Sequence, residues 1–125
     1  MELQEDLLGE LNHTCDARGG GPTVSCLIYF WILSAARLAR TGHGRLLPPA
    51  QRARRGTRGP VKAIHWTQPR HEYDACAREI RAAGSSISAV VRAAARLYVD
   101  CAGDALRMPW PAPGVALPAF MDPID

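Results

Sequence analysis

The 125-residue chain predicts a mainly helical fold with one short strand, completed when two copies pair. Three observations carry that expectation. Val61 to Thr67 alternates apolar and polar residues, as a half-buried strand does. Two stretches with apolar residues at intervals of three and four follow it. A strand and two helices, about 40 residues, lie near the size at which one copy buries too little apolar surface to offset its chain entropy. No other stretch reads as a convincing second strand, so a symmetry mate is expected to provide one. The result is an intertwined homodimer with an intermolecular two-stranded antiparallel ribbon.

Composition divides the chain into five parts: an acidic segment (1–21), an apolar helix (22–40), a basic flexible arm (41–60), the strand-helix-helix unit (61–102) and a proline-rich tail (103–125). The net charge of +3 conceals a segregation of sign. Residues 1–36 hold five acids and one arginine, residues 37–71 hold nine bases and no acid, and residues 72–125 hold seven acids and five arginines. A basic run of this kind suits a polyanion, because each neutralised phosphate releases condensed counterions.

At the front, Leu3, Leu7, Leu8 and Leu11 recur at helical spacing between acids. Gly19, Gly20, Gly21 and Pro22 interrupt it, and Thr23 is placed to cap a second helix reaching Arg40. The uncharged run Val24 to Ala36 has 13 residues, short of the ~20 that span a bilayer. It reads as a helix buried against the domain, with a membrane anchor and an unselected leader from an upstream start codon as the other readings. The acids before it do not suit a cleaved signal peptide. From Thr41 to Pro60, glycine, proline and arginine predict an extended arm in which Arg54, Arg55 and Arg58 track phosphates.

In the strand, Ile64 and Trp66 face the core and Ala63, His65 and Thr67 face outward, on a ribbon of the width that enters a major groove. Pro69 opens the next helix with Thr67 or Gln68 as cap, and Tyr73, Cys76, Ala77, Ile80 and Ala83 form its apolar face. Gly84 ends it in a left-handed conformation, and Ser86 caps the last helix, whose stripe is Ile87, Val90, Val91, Ala94, Leu97 and Tyr98. The expected dimer core is therefore Ile64, Trp66, Tyr73, Ile80, Ile87, Val90, Val91, Ala94 and Leu97. After Gly103, five prolines bar regular structure, while Trp110, Leu117, Phe120 and Met121 suit a docking peptide.

A strand, a proline, a helix and then Gly84-Ser85-Ser86-Ile87-Ser88 opening a second helix resembles the ribbon-helix-helix family, over about 40 of the 125 residues. The resemblance implies double-stranded DNA as ligand, with Ala63, His65 and Thr67 on base edges. It places a phosphate at the amides near Ser85 and Ser86, where free N–H groups and the helix dipole converge; Lys62 is expected to add a phosphate contact. It implies a cytoplasmic, nucleoid-associated bacterial, phage or plasmid regulator, either a repressor or an antitoxin, whose tail docks a toxin. A plasmid-mobilisation protein whose tail meets a relaxase, and a membrane-anchored protein organised by residues 24–36, are the alternatives. The chain departs from the family pattern at Gln68, Ala89 and Ala63.

No phosphate-binding glycine loop or nucleophile-base pair supports an enzyme, and no cofactor is expected. Cys15, Cys26, Cys76 and Cys101 lack metal-ligand spacing and read as reduced thiols, so no metal is expected.

Overall fold

The structure is a computed structural model that describes residues 2–17, 23–50 and 61–104. Arg54, Arg55, Arg58 and the tail beyond Asp104 lie outside the described residues. The elements run β1 (Glu2–Gln4), α1 (Glu5–Ala17), α2 (Val24–Arg40), a single 3-10 turn (Gly44–Leu46), β2 (Val61–Ala63), α3 (Arg70–Ala82) and α4 (Ile87–Asp100). Strand-helix-helix therefore occurs twice in one chain.

β1 and β2 form a two-stranded antiparallel ribbon with Glu2 opposite Ala63, Leu3 opposite Lys62 and Gln4 opposite Val61. This corrects the expectation that no partner strand exists within the chain. Leu3 continues the four-residue series of Leu7 and Leu11, so it counts as helical by period, yet it is the fully buried centre of β1. Residues 1–21 are accordingly no appendage: Leu3, Leu7 and Leu11 join the common core.

Helix α2 forms as its sequence dictates. The Thr23 hydroxyl accepts the Cys26 amide at 3.2 Å, and the helix continues to Arg40. Its apolar run is explained by burial: Leu27, Ile28, Trp31, Ile32, Ala35 and Ala36 are fully buried. No helix among the described residues is long and apolar enough to cross a membrane.

Helix α4 repeats this pattern position by position. Leu27, Ile28, Trp31, Ile32 and Ala35 correspond to Val90, Val91, Ala94, Ala95 and Tyr98, all of them fully buried. The caps Thr23 and Ser86 correspond too. Where the helices meet, Trp31 packs edge-to-face on Tyr98 with ring centroids 6.0 Å apart. Their counterparts in the repeat, Ala94 and Ala35, are small. Bulk on one side of the pseudo-twofold is thus matched by alanines on the other.

The halves are interleaved: α2 packs on α3 and α1 on α4. Surface ion pairs follow the same exchange, Arg40 forking onto Glu79 at 3.0 and 3.1 Å and Arg96 meeting Glu10 at 2.9 Å. Exposed pairs add little stability but mark which helices face each other.

Three local expectations change. β2 ends at Ala63 rather than Thr67. Pro69, without a side-chain cap, precedes α3, so neither Thr67 nor Gln68 caps it. Within the arm predicted over 41–60, residues 41–50 pack onto the fold, and 51–60 lie outside the described residues: Leu47 is buried, and the Ala50 amide donates to the Gly84 carbonyl at 3.0 Å. Glycine is required at position 44, where a Cβ would stand 2.7 Å from that of Ala83.

Candidate nucleic-acid interface

The ribbon turns Leu3 inward and leaves Gln4 and Ala63 exposed. Beyond the strand, Ile64 is buried, Trp66 half-buried, and His65 and Thr67 exposed, so the predicted alternation holds although the ladder has ended.

This exit segment is held by side chains. Trp66 Nε1 donates to Gln68 Oε1 at 3.0 Å, and Gln68 Nε2 donates to Glu72 Oε1 at 2.9 Å. Glu72 also holds the Tyr29 hydroxyl of α2 by a hydrogen bond, which together with burial pushes that phenol up to about 12. The Ser25 hydroxyl donates to the His65 carbonyl at 3.1 Å. Gln68 is therefore a bridge whose amide serves Trp66 and Glu72 together. The His65 backbone is pinned while its ring faces solvent.

At the start of α4, Gly84 adopts φ +84° and Ser86 Oγ accepts the Ala89 amide at 3.1 Å, as the sequence predicts. Ser85 departs from its expected role. Its amide already donates to the Ile80 carbonyl at 3.1 Å, and its hydroxyl is buried without a partner, so neither faces a ligand. The amides without helical acceptors are those of the first turn, Ile87 and Ser88.

These amides border an open cleft of about 710 Å³ between α3 and α4, lined by Tyr73, Asp74, Arg78, Arg81, Ser86 and Ser88 among others. Asp74 is approached by Arg70 at 3.8 Å. Arg78 and Arg81 are exposed and have no ion pair among the described residues, which leaves the cleft cationic. Lys62 is exposed as well. The arginines were readable only as solvent-face residues of α3; their position within the last two turns before Gly84 was the signal that they flank a helix N-terminus.

A second capped N-terminus, Thr23 to Ser25 on α2, is the cap the sequence predicts, but its correspondence to Ser86 to Ser88 was missed. Its signal was present: Gly21-Pro22-Thr23-Val24-Ser25 matches Gly84-Ser85-Ser86-Ile87-Ser88 in type at four of five positions. Of the expected core, Ile64, Ile80, Val90, Val91 and Ala94 are buried, and Trp66, Tyr73, Ile87 and Leu97 partly so. They pack within one chain.

No family model, curated protein or solved structure matches the chain. Among the described residues no group of three or more His, Cys, Asp or Glu could hold a metal ion.

Proposed function

We propose that the protein is a sequence-selective regulator that binds double-stranded DNA in the ribbon-helix-helix manner, with both halves of the fold provided by one chain. Two observations carry this reading, an outward-facing ribbon and a capped helix N-terminus in a cationic cleft between α3 and α4. The ribbon enters the major groove, where His65 and Thr67 reach base edges and Ala63 offers a methyl contact to thymine. A phosphate sits at the Ile87 and Ser88 amides, where the positive end of the helix dipole adds to Arg78 and Arg81. Lys62 and the arginines at 54, 55 and 58 add counterion-release affinity that is indifferent to sequence. Action as a repressor or antitoxin, in the cytoplasm at the nucleoid, belongs to the same proposal.

The test is fluorescence anisotropy of labelled duplexes over a salt series. Affinity falls linearly in log–log form with salt, and Arg78→Ala or Arg81→Ala each lowers the slope by about one unit. Affinity that ignores salt refutes the proposal. Docking of a toxin or relaxase by the tail is tested separately: deleting residues 105–125 leaves DNA affinity intact and abolishes capture of that partner.

A further inference from the structure

We infer that a single chain is the complete DNA-reading unit and takes one non-palindromic duplex site. This rests on the DNA-binding reading above and specifies its target. A twofold-symmetric protein reads two identical half-sites, and its operator mirrors that symmetry. Here the fold has the pseudo-symmetry of such a protein while its two reading surfaces differ in length, side chains and charge.

The difference in length is built into the connections. β2 is followed by six residues, 64–69, before α3, and that segment presents His65 and Thr67. β1 runs straight into α1, Gln4 being followed by the first helical residue Glu5, so the first half has no counterpart to them. Its described reader is Gln4, a residue suited to bidentate contact with adenine N6 and N7. Charge differs in the same sense. Arg78 and Arg81 of α3, which attract a phosphate, correspond to the exposed His13 and Asp16 of α1, where one position carries an acid instead. One half grips the backbone and reads through His65 and Thr67; the other contributes Gln4 with little grip.

The core opposes the symmetric alternative. Pairing two copies of the β2-α3-α4 half would replace the Trp31–Tyr98 contact by alanine against tyrosine on both sides, because Ala94 stands where Trp31 does in the repeat. Neither copy would then supply the indole that fills the core.

The experiment combines native mass spectrometry of the full chain, free and on duplex, with selection of bound fragments from random DNA. The expected result is a monomer, one chain per duplex, and a selected site without twofold symmetry. His65→Ala relaxes preference about ten-fold at one end of that site, and Gln4→Ala relaxes it about ten-fold at a different position. Both side chains are exposed, and circular dichroism verifies that each variant is folded. Two chains on a palindrome, with His65→Ala relaxing both ends alike, overturns the inference and leaves the DNA-binding reading standing. Absence of salt-sensitive duplex binding overturns both.

Discussion

Replacing Leu11 by alanine tests whether the front of the chain belongs to the same cooperative unit as the last two helices. Leu11 is fully buried on α1, which packs against α4. The substitution removes three carbons, worth about 0.8 kcal/mol each in transfer, and the cavity left in a closed core raises the cost to roughly 3 kcal/mol. For a folded unit of this size each kcal/mol moves the midpoint by about 4–8 °C, so Tm should fall by roughly 12–24 °C. Urea unfolding followed by both tryptophan fluorescence and far-ultraviolet circular dichroism gives the direct reading. A single transition, displaced equally in both signals, is expected. An unchanged midpoint, within about 0.5 kcal/mol, or a second transition assignable to residues 1–40, would refute a shared core.

Four further outcomes follow from particular contacts. Ser86→Ala removes the acceptor of the Ala89 amide and should cost about 1 kcal/mol by chemical denaturation, most of it recovered by Ser86→Gly; an unchanged midpoint for Ser86→Ala would show that the cap contributes nothing. Gly44→Ala drives a Cβ onto Ala83, which has no flexible end to move, and should lower stability by about 1–3 kcal/mol; an unchanged melting curve would mean that this segment does not lie on α3. Tyr29 should ionise late in an ultraviolet titration: the folded protein favours its neutral phenol, so that contribution is complete below pH 10 and is lost as pH rises toward about 12, and Tyr29→Phe should remove its share of the late absorbance. The buried Cys76 thiol is pushed up by burial and then by the Glu72 and Glu79 carboxylates, so alkylation should be slow until the chain unfolds; equal rates folded and unfolded would contradict its placement.

What was legible in the sequence depended on local signals. Thr23 before an uncharged helical run, Gly84 followed by Ser86, and the stripe from Val90 to Tyr98 each determine structure through residues within a few positions, and the structure has all three. β1 was illegible because three residues carry no period of their own, and Leu3 satisfies a helical series equally well. Missing β1 concealed the repeat, and the repeat determines which strand pairs with β2. The outward residues Ala63, His65 and Thr67 were identified correctly as exposed, since alternation survives the end of the ladder. Ser85 could not be separated from its neighbours, because the competing Ile80 carbonyl is brought to its amide only by the turn at Gly84.

The pairing of β1 with β2 inside one chain also removes folding from the law of mass action. An obligate dimer of small halves exists only above a protomer concentration set by its dissociation constant, and in a cell holding a few copies it would be largely unfolded. Covalent connection of the halves replaces that concentration with a fixed effective one, of millimolar order for short connections. The protein can therefore remain folded at one copy per cell, and its folded fraction should be the same at any amount of chain.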